Sequence, residues 1–207
     1  MIEIKICGLT NAGDAAAAAR AGADYLGFVF YPRSPRAVQA GDVARILDEI
    51  GEPVRAVGVF VNETPETVLE TATTCRLHAV QLHGDESPDR FEDFPVEVWR
   101  ALRVSADSCE PDPKAWPALR YVVDALVPGL YGGSGVAADW EKAAEIAVSQ
   151  PVILAGGLTA ENVAEAIHAV RPRGVDVSSG VERSPGRKSI ERLGAFIARA
   201  RDAATRK

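Results

Sequence analysis

No stretch of the 207-residue chain approaches the ~20 consecutive apolar residues that a membrane-spanning helix needs. The opening MIEIKICGLT carries Glu3 and Lys5 and has no long apolar run, so it is not read as a secretory leader. Basic runs are missing too. Lysine and arginine are scattered among a larger number of acidic residues, and the formal net charge of −6 argues against a nucleic-acid surface. Only three cysteines occur, Cys7, Cys75 and Cys109. Their odd number and wide spacing fit neither a disulfide framework nor a zinc knuckle. These absences point to a cytoplasmic protein that works on neither membrane nor nucleic acid. No linker, low-complexity tract or close repeat divides the chain, so residues 1–207 are expected to form one domain.

What the sequence does contain is a regular alternation. Apolar, β-rich runs begin near Glu3, Ala23, Val54, His78, Val96, Tyr121, Pro151 and Gly174. Several are almost continuously apolar, as expected of parallel strands covered on the outside. Helical patterns lie between them. Val43, Ile46, Leu47 and Ile50 share one face, with Gly51 as the stop. Thr64-Pro65 and Ser87-Pro88 read as a cap followed by proline in the first turn. Thr159 is expected to cap a helix that buries Val163, Ala166, Ile167 and Val170, and the last helix to turn Ile190, Leu193, Ile197 and Ala200 inward. Prolines between Pro111 and Pro117 weaken the helix expected there. Eight strand–helix units imply an α/β fold, a single-domain (β/α)8 TIM barrel, in preference to an open doubly wound sheet.

In such a barrel the active site is built at the C-terminal ends of the strands and in the loops that follow. The residues there are polar or glycine: Cys7, Arg36, His83, Asp124, Gly156-Gly157 and Ser178-Ser179-Gly180. Glycine loops after the last two strands suit a phosphate, because bare backbone N–H groups can approach the anion closely. Gly156, Gly157, Ser179 and Gly180 are therefore the expected phosphate-binding residues. Tyr131-Gly132-Gly133-Ser134-Gly135 is expected to be a flexible loop able to close over the ligand. The GVERSPGRKS stretch starting at Gly180 misses the spacing of a nucleotide-triphosphate loop.

Alternation along the first strand places Glu3, Lys5 and Cys7 on the barrel interior, with Cys7 at the mouth. A nearby ammonium would favour its thiolate, a base or nucleophile. Cys75, ending a helix, and Cys109, in a loop, read as ordinary small side chains. Asp124 closes the apolar run Tyr121-Val122-Val123, where apolar surroundings would raise its pKa and let it act as a general acid. Arg36 offers a planar fork to a carboxylate. His83 is either a polar ligand contact or a residue that shapes its loop. No metal cluster accompanies it.

In order along the chain, KICGLT from Lys5, FVFYP from Phe28, Ser34-Pro35-Arg36, VQLHG from Val80, GGSG from Gly132, LAGGL from Leu154 and DVSSGVE from Asp176 resemble phosphoribosylanthranilate isomerase. The resemblance implies a cofactor-free, metal-free barrel enzyme of tryptophan biosynthesis, acting on a phosphorylated small molecule as a monomer or homodimer. It implies Cys7 as general base, Asp124 as general acid and Arg36 as partner of the anthranilate carboxylate. It also implies phosphate binding by the last two strand loops. Two other readings use the same barrel: a Schiff-base aldolase built on Lys5, and a non-catalytic sensor of phosphorylated ligands.

Overall fold

The apolar runs pair, all parallel, into a closed ring. In the computed structural model, which describes residues 2–125 and 138–205, the barrel strands are β1 (Glu3–Ile6), β2 (Tyr25–Val29), β3 (Ala56–Phe60), β4 (Ala79–Leu82), β5 (Glu97–Ser105), β6 (Arg120–Ala125), β7 (Val152–Leu154) and β8 (Gly174–Val177). Each pairs with its neighbour in sequence, and β8 closes on β1 with Lys5 opposite Asp176. This is the expected eight-stranded barrel. The Tyr131–Gly135 loop lies outside the described residues.

Alternation sorts the core into two compartments. Ile4, Ile6, Leu26, Phe28, Leu82 and Leu102 point outward and are covered by helices and loops. Tyr25, Val57, Ala79, Trp99, Val122, Ile153 and Ala155 point inward and fill the barrel axis. Tyr25 and Trp99 meet edge to face there, ring centroids 4.8 Å apart.

The outer helices are α1 (Ala12–Arg20), α2 (Ala40–Ile50), α3 (Pro65–Thr74), α4 (Trp140–Ala147), α5 (Val163–Val170) and α6 (Ile190–Thr205). Their ends follow local chemistry. The Asn11 side chain accepts the Asp14 N–H at the start of α1, and Thr64 accepts the Thr67 N–H at the start of α3, with Pro65 next to it. Gly51 ends α2 at φ +71°, where a side chain would be strained. None of these helices is long and apolar enough to cross a membrane.

Several local expectations are corrected. Ser87-Pro88 starts only a single 3-10 turn, Pro88–Phe91. The Pro111–Pro117 segment holds no helix, and Cys109 lies not in a loop but in a short strand, Ser108–Glu110, folded back antiparallel on β5. Trp116 of this segment instead packs against a polar cluster, its indole N–H donating to the Glu86 carbonyl. Arg100 on the outer face of β5 donates to the Leu82 and Gly84 carbonyls and to Glu86, and lies over the Trp116 ring. Thr159 caps the turn that leads into α5, its Oγ1 accepting the Glu161 N–H and its carbonyl the Val163 N–H, while the Asn162 side chain turns back to accept the Thr159 N–H. Ile190 is 56% exposed, because as the first residue of α6 it stands beyond the edge of the core, whereas Leu193, Ile197 and Ala200 are buried as expected.

Candidate active site

Two-residue steps along the strands carry the interior from apolar to polar. Val122 is followed by Asp124, Ala79 by Gln81 and His83, Lys5 by Cys7, and Asp176 by Ser178. Cys7, His83 and Asp124 are each buried at the C-terminal mouth. The structure thus brings together three residues that lie up to 117 positions apart in sequence, since 124 − 7 = 117.

Beneath them lies an ion pair. Lys5 Nζ is 2.9 Å from Asp176 Oδ2, and Lys5 is fully enclosed. Burial opposes the Lys5 charge, but Asp176 and Cys7 outweigh it and raise the Lys5 pKa. A Schiff-base lysine needs the reverse shift and an open path to substrate. The aldolase reading therefore fails on both counts.

The same pair acts on both candidate catalytic groups. Burial pushes the Asp124 carboxyl up to about 6, opposed by the Ala125 N–H, with Asp176 adding to the rise and Lys5 resisting it. The rise is in the direction that the apolar strand predicts, toward a carboxyl that can hold and donate a proton. Cys7 departs from expectation. Burial raises its thiol pKa, and Lys5, the strongest counterweight, does not overcome it. The ammonium neighbour is present, yet the enclosed resting group is a thiol. The sulfur also packs against bare backbone: a Cβ on Gly27 would stand 2.9 Å from Cys7 Sγ.

His83 is held from behind. Gln81 Nε2 lies 3.0 Å from Nδ1, which makes Nδ1 the acceptor and leaves the proton on Nε2. That nitrogen faces Asp124 Oδ2 at 3.8 Å. Burial, with Lys5, Arg100 and Arg103 adding to it, lowers the His83 pKa to about 3, so the ring is neutral.

Arg36 sits at the same mouth but is already engaged. Its Nε and Nη2 donate to the two oxygens of Glu182 at 2.9 and 2.8 Å. Those bonds raise the Arg36 pKa, and they hold Glu182 low against the opposing effect of burial. Lys188, to which the sequence alone assigns no role, is buried at 1% exposure. Its ammonium donates to the Cys7 carbonyl at 2.6 Å, the Ser178 carbonyl at 3.1 Å and Glu182 at 3.0 Å. Sequence reasoning missed Asp176, Glu182 and Lys188. The available signal was Asp176, an acidic residue inside the apolar run GVDV.

The glycine loops have the expected shape. Gly156 and Gly157 adopt φ of +79° and +60°. A Cβ on Gly156 would meet the Ala138 backbone and the Asp124 carboxylate. Ser179–Val181 forms one 3-10 turn after β8, and any side chain on Gly180 would collide with the Leu158 carbonyl. The two loops are therefore packed backbone to backbone, with the first N–H groups of that turn lacking intrahelical acceptors.

Among the described residues, four buried polar atoms around this mouth have no hydrogen-bond partner: Gln81 Oε1, His83 Nε2, Asp176 Oδ1 and Ser178 Oγ. Buried polar atoms are ordinarily satisfied. Their concentration on the inner faces of β4 and β8 marks a polar ligand's place.

Known proteins are similar to this chain in sequence and fold. Residues 4–199 match the family model described as N-(5'phosphoribosyl)anthranilate (PRA) isomerase. An N-(5'-phosphoribosyl)anthranilate isomerase of Trichlorobacter lovleyi is 47% identical over 204 residues, covering 98% of this chain and 100% of the relative. The crystal structure of the Thermus thermophilus enzyme superposes with a TM-score of 0.87 at 38% identity, covering 97% of this chain and 99% of that one. A structure of phosphoribosyl anthranilate isomerase in complex with reduced 1-(o-carboxyphenylamino)-1-deoxyribulose 5-phosphate superposes at 0.83 with 37% identity, covering 98% and 100%. The chain belongs to the N-(5'-phosphoribosyl)anthranilate isomerase family.

Proposed function

We infer that this chain isomerises N-(5′-phosphoribosyl)anthranilate to 1-(2-carboxyphenylamino)-1-deoxyribulose 5-phosphate, an Amadori rearrangement in tryptophan biosynthesis. Family membership supports the reaction. The observation that carries the chemistry is Asp124, a carboxyl enclosed at the barrel mouth with its pKa raised to about 6.

The substrate is an aminoaldose whose ring must open and whose C2′ proton must move. Asp124 gives its proton to the ring oxygen as the C1′–O bond breaks, leaving a Schiff base between C1′ and the anthranilate nitrogen. Cys7, as thiolate, takes the C2′ proton. The resulting enolamine tautomerises: the C2′ hydroxyl loses a proton, C1′ gains one, and the ketone forms. Each acid–base contribution is worth on the order of 10²–10⁴ in rate. These steps move protons only, so the proposal includes no metal and no cofactor.

The raised Cys7 pKa has a consequence. The working arrangement, thiolate with neutral carboxyl, is the minor partition of one proton between the two groups. Lys5 lowers the cost of reaching it, since it favours the charged sulfur.

In this proposal Gly156, Gly157, Ser179 and Gly180 hold the phosphate, Arg36 meets the anthranilate carboxylate, and His83 Nε2–H donates to the substrate or to Asp124. Anchors at the two ends supply positioning. The proposal also covers residues 1–207 acting as one catalytic domain, in the cytoplasm, as a monomer or homodimer. It is tested by following the loss of anthranilate-type fluorescence when the purified chain meets freshly made substrate. Turnover at enzyme-like rates is expected, and no turnover above background would overturn the proposal.

A further inference from the structure

Arg36 is the group that the proposed function gives to the substrate carboxylate, yet half of its fork is committed within the protein. Glu182 takes the Nε–Nη2 edge through two hydrogen bonds. This fixes the guanidinium plane and leaves the Nη1 end outside the pairing. A lone Arg–Glu pair would be neutral and would offer an anion little.

Here a second cation changes the balance. Lys188 Nζ reaches Glu182 and two carbonyls, so its three N–H donors meet three acceptors, the complement an ammonium needs. Arg36, Lys188 and Glu182 together carry one net positive charge.

The anchoring of this trio is distributed. The Gly186 N–H donates to Glu182 Oε1, and Thr10 Oγ1 donates to the Gly186 carbonyl at 2.5 Å. The Lys188 N–H donates to Asp14 at the start of α1. The carbonyls that Lys188 holds belong to Cys7, the proposed base, and to Ser178, beside the phosphate loop. One buried side chain thus touches the backbone of two elements of the site and, through Glu182, orients the third.

We propose that Glu182 is a positioning residue for substrate recognition: with Lys188, it sets the Arg36 guanidinium to receive the anthranilate carboxylate. The inference rests on the proposed role of Arg36 in the isomerase reaction. Glu182 touches no substrate. It removes the rotational freedom of Arg36 before binding, so the carboxylate does not have to.

The test uses two substrates, the natural one and N-(5′-phosphoribosyl)aniline, which lacks only the carboxylate. In the wild-type chain the carboxylate should be worth a lower KM. Glu182→Gln keeps the side chain's size but removes the paired charge. KM for the carboxylated substrate should rise roughly tenfold to a hundredfold, the scale of one charge-assisted pair. KM for the aniline analogue should change less than about twofold, the spread expected of an uncoupled site.

Arg36→Met separates this inference from the reading on which it rests. If Arg36→Met leaves the preference for the carboxylated substrate intact, the role of Arg36 is wrong. If Arg36→Met abolishes the preference and Glu182→Gln does not reduce it, Arg36 stands and the positioning role of Glu182 is wrong. Equal losses on both substrates with Glu182→Gln would also overturn it, as they mark a merely structural residue. Glu182→Asp serves if the Gln variant does not fold: it keeps the charge, withdraws the fork by one methylene, and should show the same selective rise in KM. In the Arg36→Met background, the Glu182 change should have no further effect on the preference.

Discussion

His83 Nε2 stands 3.8 Å from Asp124 Oδ2, while Gln81 Nε2 lies 3.0 Å from the opposite ring nitrogen. This places a neutral N–H donor beside the proposed general acid. It predicts one tautomer, protonated on Nε2, across the pH range in which the enzyme works, because the ring pKa is lowered to about 3. Nitrogen chemical shifts of the His83 ring should stay constant between pH ~5 and ~8. A titration near the ordinary histidine value would contradict the arrangement. Gln81→Leu, which removes the donor, should release the tautomer and lower kcat by about tenfold.

The pH profile follows from the two shifts. Asp124 must be protonated and Cys7 ionised, yet Asp124 has a pKa of about 6 and that of Cys7 is raised above the ordinary thiol value. Below about 6 the thiolate becomes scarcer with each added proton while Asp124 is already protonated. Activity therefore rises with pH. Between the two values each gain in thiolate is matched by a loss of neutral carboxyl, giving a plateau. Above the thiol value the thiolate is saturated and activity falls. A broad bell in kcat/KM is expected, with its acid limb near 6. Asp124→Asn should remove the break near 6 from the residual rate, which should instead keep rising with pH up to the raised thiol value.

Asp124 should also cost the fold stability when ionised. Its folded pKa of about 6 exceeds the reference value of 3.8. Stability is then fullest below the lower value and is lost as pH rises through the higher one. Asn, neutral at every pH, avoids the cost. Asp124→Asn should therefore raise the unfolding free energy from urea titration at pH ~7 by an amount on the order of 1–3 kcal/mol, and the gain should vanish below pH ~4. A destabilised variant at neutral pH would contradict the burial argument.

The phosphate loops give a test independent of the acid and base. Any side chain on Gly180 meets the Leu158 carbonyl, so Gly180→Ala must separate the loops after β7 and β8. KM for the substrate, and the inhibition constant for inorganic phosphate, should both rise by roughly tenfold or more, the worth of one charge-assisted hydrogen bond. Unchanged phosphate inhibition would place the anion elsewhere.

Much of this was legible before any coordinates. The strands announced themselves as apolar runs because a parallel barrel buries both faces, and strand ends then located Cys7, His83 and Asp124. The prolines between Pro111 and Pro117 already weakened the helix expected after β5, but the buried Arg100 was not legible, because its partners Leu82, Gly84 and Glu86 lie 14 to 18 residues away. Lys188 was given no role because composition cannot report a partner 181 positions distant, as Cys7 is. The net shift at Cys7 was not legible for a related reason. The Lys5 charge was visible in the alternation of β1, whereas the stronger effect, enclosure by the whole barrel, is a property of the fold.

The division of labour between Cys7 and Asp124 is the centre of the account, and one experiment addresses it directly. Steady-state turnover should be measured by anthranilate fluorescence for Cys7→Ala, Asp124→Ala and the unaltered chain, with circular dichroism confirming that all three are folded. Each variant should lose at least about 10²-fold in kcat, the lower bound for removing a positioned acid or base. Near-normal kcat in both folded variants would contradict the assignment.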